Sequence, residues 1–311
     1  MLFLSTTLDG LQMGLCFAVV ALGMYVAYRI LDFPDLSTDG TFPLGGVVGT
    51  ILIVKGIPAG LALFGGFFAG AAAGALTGFL HVKCKIGKLL SGIIVMTGLL
   101  SVTLALTKIL TGTGFTVVNY SYIVNGLNGL FNRGSAVKGD LFITLVLIGI
   151  VIAVKVLLDL FFRTRTGYLL KAAGDNEALV TALGKNVGAY KILGLSIANG
   201  LAGFSGALFS QYTMMYDNGS GAGKVVLALA AVIMGLALFS KTKFVKPTTA
   251  VVFGAVIYSL LLNYFTLLDN DGTYLKLMNA FFFALILIVN NLIKKQRVKK
   301  QKAARLAGEE L

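Results

Sequence analysis

The sequence predicts an all-α polytopic membrane protein of about nine transmembrane helices with an inverted internal repeat, its N-terminus outside and its C-terminus cytoplasmic. Three observations predict it. The 311 residues are 57% hydrophobic and 13% charged, with a mean hydropathy of +0.89; an ordinary soluble domain has about 25% charged residues. Apolar runs long enough to cross a bilayer recur along the whole chain. The net charge of +13 is gathered between those runs rather than spread over a soluble surface.

The apolar runs cover residues 8–30, 42–54, 58–80, 89–110, 141–162, 187–212, 225–239, 248–267 and 274–293. Most have the ~20 residues that a helix needs to cross. The runs 42–54 and 225–239 are short. Each is either a broken or re-entrant segment, a device transporters place near a binding site, or simply a shorter helix beside longer ones. Residues 1–293 form one transmembrane domain carrying a basic loop at 163–186, and 294–311 form a basic cytoplasmic tail. Thirty-nine glycines against four prolines suit close helix packing, as in Gly65-Gly66-Phe67-Phe68-Ala69-Gly70 and the run on to Gly74.

Orientation follows from the connections. Residues 81–88 hold Lys83, Lys85 and Lys88, and 163–186 hold Arg163, Arg165, Lys171 and Lys185. Residues 240–247 hold Lys241, Lys243 and Lys246, and the tail holds seven more Lys and Arg from Lys294 to Arg305. The connections between these are poor in positive charge. The positive-inside rule places the rich set in the cytoplasm. A weak echo links Gly14-Leu15-Cys16-Phe17-Ala18 to Gly194-Leu195-Ser196-Ile197-Ala198. Each opens a long span followed by a polar stretch (35–40 and 217–221) and a short span. An odd number of spans separates them, so the halves would be inverted.

Enzyme chemistry finds no foothold. His81 is the only histidine, and no His, Cys and carboxylate cluster has metal-ligand spacing. Cys16 and Cys84 fall in a span and a cytoplasmic loop, which does not suit a structural disulfide. Lys155 and Asp159 sit i, i+4 near the end of a span, as an ordinary intrahelical pair does. Gly219-Ser220-Gly221-Ala222-Gly223-Lys224 suggests a phosphate loop. The pattern fails, because it needs glycine where Asn218 stands and Ser or Thr where Val225 stands. It reads as a flexible external turn. No basic patch is interleaved with aromatic residues, so nucleic acid is not an expected partner; membrane lipids are.

Residues 163–186 carry the most information. Asp175 or Asn176 can cap a helix with Glu177 in its first turn, and Gly184 fits the position after its end. Ala178, Leu179, Ala182 and Leu183 make a small apolar face. A two-turn helix is not stable alone, so it must dock on its own bundle, on lipid or on a partner.

This segment resembles the cytoplasmic coupling loop of ABC-importer permeases of the branched-chain amino acid and ribose class. The resemblance is carried by Gly167, Ala172, Gly174, Asn176, Ala178, Ala182 and Gly184. Two further stretches agree: Asp35-Leu36-Ser37-Thr38-Asp39-Gly40-Thr41-Phe42-Pro43-Leu44-Gly45-Gly46, similar to the tryptophan and tyrosine uptake branch, and Leu229-Ala230-Ala231-Val232-Ile233-Met234-Gly235. The usual Gly-Gly-x-Gly continuation is replaced by Leu236-Ala237-Leu238-Phe239. The resemblance implies a permease subunit in a bacterial plasma membrane, with no catalytic residue, metal or cofactor of its own. It implies three partners: a cytoplasmic ATPase using ATP and Mg, an external solute-binding protein, and a second permease copy. Gly174, Asp175, Asn176, Glu177, Ala178 and Gly184 would then form the ATPase-coupling element. Thr97, Ser101, Asp39, Asn199 and Asn279 are candidates for the translocation pathway, with interhelical hydrogen bonding as the alternative. The external loop 112–134, with Asn119, Tyr120, Tyr122, Asn125 and Asn128, is a candidate docking or gating surface, or an interfacial cover. The expected substrate is an aromatic or branched-chain amino acid, with a sugar or nucleoside open. An ion-gradient-driven transporter is the competing class; it needs a buried ionisable residue, for which the sequence offers no good candidate.

Overall fold

Lipid offers a backbone no water to bond, so a chain this apolar must close its hydrogen bonds within each segment, as helices do. The computed structural model describes residues 2–112, 117–120, 137–239, 242, 245–266, 277–288 and 291. Its elements begin with α1 (Leu2–Met24), continued by a π-helical turn (Tyr25–Ile30), α2 (Thr38–Val54), α3 (Ala59–Val82), α4 (Lys88–Thr111) and β1 (Val117–Asn119). There follow α5 (Val137–Phe161), α6 (Arg165–Asp175), α7 (Glu177–Ala182), α8 (Val187–Thr213) and β2 (Met215–Asp217). A 3-10 turn (Asn218–Gly221), α9 (Lys224–Leu238), α10 (Pro247–Thr266) and α11 (Leu277–Ile288) complete them.

Among the described residues, seven helical stretches are long and apolar enough to cross a membrane, and α2 and α11 are shorter apolar helices. The protein is an all-α polytopic membrane protein. The run at 225–239 reaches spanning length only with the 3-10 turn before it, as Asn218–Leu238. The tail 294–311, Tyr122, Asn125 and Asn128 lie outside the described residues.

The bundle is built around α1 and α8. Of their apolar windows 89% and 72% are buried, against 28% for α4 and α5. The outer helices turn residues such as Leu61, Phe68, Ile109 and Leu157 outward, as lipid-facing helices do. Close approach of α3 to α8 rests on Gly66, Gly70, Gly74 and Gly78, spaced by four along one face of α3. A Cβ on Gly70 would sit 2.3 Å from the Asn199 carbonyl oxygen, and one on Gly74 2.2 Å from that of Leu195. The glycine runs therefore do what their composition predicts.

The bundle has two ends. At one, Lys88 Nζ donates to the Asp32 carbonyl at 2.9 Å, and Gly188 packs on Val82. There too Asp159 Oδ2 holds Lys155 at 3.1 Å and Lys246 at 3.2 Å, while Oδ1 accepts from Thr248 at 2.6 Å. The intrahelical pair read from the sequence is thus part of a larger cluster tying α5 to α10. At the other end β1 pairs antiparallel with β2, Val118 opposite Tyr216. Among the described residues, Lys88, Lys155 and Lys246 lie at the first end, and residues 117–119 meet 215–217 at the second.

Candidate functional site

Two helices begin inside the bundle rather than at its ends. The first turn of α2 packs on the middle of α4: a Cβ on Gly40 would sit 3.0 Å from Leu99 Cβ. Thr41 Oγ1 donates at 2.9 Å to Asn199 Oδ1, midway along α8. From there α2 runs to the β-ribbon end. The chain descending from β2 reaches the same level and turns into α9, which runs to the basic end, where Gly235 packs on the Ala250 carbonyl. The N-termini of α2 and α9 thus meet head to head.

Asp39 makes the junction. Its Oδ1 accepts from the Val225 N–H at 2.7 Å and its Oδ2 from the Gly223 N–H at 3.2 Å, so a carboxylate of α2 caps α9. Free N–H groups and the helix dipole make this a favourable seat for an anion. Pro43 has no N–H to take the Asp39 carbonyl. That oxygen instead lies against Gly221, where a Cβ would come within 2.0 Å. The glycine-rich stretch read as a flexible external turn is therefore folded inward and holds an internal carboxylate. No phosphate site is built there.

Lys224, the first residue of α9, points its ammonium at three rings. Its Nζ lies 4.1 Å from the Phe17 centroid, 5.3 Å from Phe209 and 5.5 Å from Phe42. Phe17 stacks on Phe209 at 5.3 Å. Below the junction Asp35 is fully buried. Its oxygens accept from the Asn199 amide at 2.6 Å and the Ser37 N–H at 2.9 Å, and Ser37 Oγ returns to Asn199 Oδ1 at 3.1 Å. Asn279 on α11 accepts from Tyr258 and lies near Gly223.

Of the candidate pathway residues, Asp39, Asn199 and Asn279 gather around this junction. Thr97 and Ser101 do not; they lie on an exposed face of α4, where Thr97 bonds its own helix at Ile93 and Ile94. Sequence reasoning missed Lys224, taken for a loop charge, and Asp35, taken for part of a polar approach. Both are the buried or half-buried ionisable groups that seemed lacking. The signal available was a charge beside a predicted short span.

The second site is the pair α6 and α7. Thr164 caps α6 through the Gly167 N–H at 3.2 Å, and Leu170 and Ala173 bury its inner face. Asn176 caps α7, its Oδ1 accepting from the Leu179 N–H at 3.1 Å. Glu177 pairs with Lys191 of α8 at 2.6 Å, Val180 is buried, and Gly184 ends the helix with φ +67°. Asp175, Asn176, Glu177, Ala178, Ala182 and Gly184 are exposed. So are Leu179 (52%) and Leu183 (58%). Gly174 is different. A Cβ there would come within 1.7 Å of the Ile30 carbonyl oxygen, so this glycine seats α6 under the end of α1.

A multi-pass helical bundle with mid-level helix starts and an exposed short helix at one end suits a membrane transporter. Residues 6–290 match the family "Branched-chain amino acid transport system / permease component", and the chain belongs to it. It is 36% identical over 299 residues to the tyrosine transport system permease protein of Clostridioides difficile (strain R20291), covering 95% of this chain and 96% of that one. It is 27% identical over 280 residues to the ribose import permease protein RbsC of Escherichia coli (strain K12), covering 90% and 83%. It also resembles the uncharacterized protein RP368 of Rickettsia prowazekii (strain Madrid E), at 31% over 277 residues, covering 87% and 92%. No solved structure matches. The chain is a transmembrane permease subunit of an ABC importer, a non-enzymatic part of a transporter.

Proposed function

We propose that two copies of this chain form the pathway of an importer for an aromatic amino acid, driven by a separate ATPase that binds ATP and Mg and docks on α7. The observation that carries the docking is the exposed face of Ala178, Leu179, Ala182 and Leu183 on a six-residue helix. So short a helix has no stability of its own. It is held from beneath by Val180 and by the Glu177–Lys191 pair, which leaves that face outward for a partner. Asp175, Asn176, Glu177 and Gly184 frame it, and Gly174 fixes its base.

The density of Lys and Arg at this end supports a cytoplasmic position for it in a bacterial cell. The β-ribbon end is then outside, where a solute-binding protein delivers substrate. The head-to-head starts of α2 and α9 support an inverted plan in which the binding site lies between the halves. The substrate class rests on the likeness to the tyrosine permease.

The test uses the complex purified from its native membrane and reconstituted in proteoliposomes with its binding protein. Uptake of labelled tyrosine should require ATP and survive an ionophore. Uptake that persists without ATP and collapses with the ion gradient would establish the secondary-transporter reading instead, with Asp35 or Lys224 as its coupling group. Uptake of ribose alone would refute the amino-acid assignment.

A further inference from the structure

Lys224 is a charged group at the junction whose electrostatic demand the fold leaves unmet. Taking an ammonium from water costs more than a ring face returns. An ammonium also has three N–H donors, which ring faces satisfy only in part. Among the described residues no oxygen accepts a hydrogen bond from Lys224. Asp39 carries the opposite charge but commits its oxygens to Gly223 and Val225, and the two side chains form no ion pair within 4.0 Å. Asp217, the other nearby carboxylate, accepts from the Gly219 N–H at 2.9 Å.

Exposure sharpens the point. Phe17 and Phe42 are 2% and 1% exposed, yet Asp39 and Lys224 beside them are only part-buried. The Phe17 and Phe42 rings are therefore closed off beneath the lysine, while the two charges and the half-buried Phe209 keep some accessible surface. A carboxylate with two backbone donors still has lone pairs to offer a third. The junction thus presents an acceptor, a donor and part of the Phe209 ring at mid-bundle.

We propose that Asp39 and Lys224 form a zwitterion-binding site, Lys224 donating to the carboxylate and Asp39 accepting from the ammonium of a free α-amino acid whose side chain packs on Phe209. The site rests on the amino-acid import proposed above and names the groups that select for it. A neutral sugar offers neither charge. An amine lacking the carboxylate leaves Lys224 unpaired, and a site built to pair a polar group discriminates against a ligand without it.

The experiment uses the reconstituted complex and three probes: tyrosine, tyramine (no carboxylate) and 3-(4-hydroxyphenyl)propionate (no ammonium). Wild type should prefer tyrosine to both. Lys224→Met keeps the length of the side chain and removes the charge. It should lower tyrosine uptake about 10- to 100-fold, the equivalent of one charge-assisted hydrogen bond, and bring tyrosine and tyramine close to parity. Asp39→Asn should narrow the gap to the propionate. Because Lys224→Met could disturb assembly, Lys224→Cys in a Cys84→Ser background gives a second measure. Aminoethylation, verified by mass, restores an ammonium and should restore uptake and preference; methylthiolation should not. A Lys224→Met protein with wild-type uptake and preference overturns the site, as does a Lys224→Cys protein that methylthiolation restores equally or that verified aminoethylation fails to restore. Wild type that imports only ribose overturns the amino-acid reading itself and the site with it, a result read without any variant.

Discussion

Truncating the exposed face of α7 separates docking from folding. Leu179 and Leu183 are 52% and 58% exposed, so roughly half of each side chain is still available to a partner. Full burial of a leucine stabilises by about 1.5–3 kcal/mol, which makes the remaining half of each worth about 1 kcal/mol. Leu179→Ala with Leu183→Ala should therefore weaken ATPase association by about 2 kcal/mol, or roughly 30-fold. The half of each leucine that is already buried is lost as well, so the chain's own stability should fall by up to about 2 kcal/mol, while Val180, Asn176 and the Glu177–Lys191 pair keep α7 in place. Binding of the purified permease in nanodiscs to immobilised ATPase gives the affinity, and thermal unfolding gives the control. Unchanged affinity in the folded permease, or a loss of affinity seen only where the permease has unfolded, would refute α7 as the docking element.

Other perturbations test the packing. Asn176→Pro should disturb α6 as well as α7, since Asn176 has φ −153° and its N–H bonds Ala172, both incompatible with proline; Asn176→Ser keeps a cap and should retain binding within about twofold. Gly174→Val would drive its side chain onto the Ile30 carbonyl and should destabilise by about 3 kcal/mol or more, seen as protease sensitivity near residue 174. Asn199→Ala would leave Asp35, Ser37 and Thr41 without their shared partner and should cost about 3–5 kcal/mol, read as a fall in melting temperature in detergent. Asp159→Ala would free Lys155, Lys246 and Thr248 at the solvated end and should cost only about 1–2 kcal/mol.

The elements that were legible in the sequence are those decided locally. Spans follow from length and apolarity. The close packing of α3 follows from the glycine runs between Gly65 and Gly74. The α7 caps follow from Asn176 and Gly184, each acting within four residues of itself. The mid-bundle junction was not legible, because Asp39 and Val225 meet across 186 positions of sequence. Nothing near Lys224 in the chain marks it as caged, since its rings come from three separate helices. For the same reason Thr97 and Ser101, neighbours on one helix face, gave no sign that the face lies outward.

What the sequence determined by itself was a bundle of apolar membrane spans, because bilayer thickness acts on each segment separately. The family likeness added a permease. Only the tertiary structure decided that α2 and α9 start halfway through the bundle, joined by a carboxylate on a helix N-terminus with a lysine facing aromatic rings beside it. Electrostatics in a low-dielectric interior depends on distances between groups far apart in the chain, and only folding sets those distances.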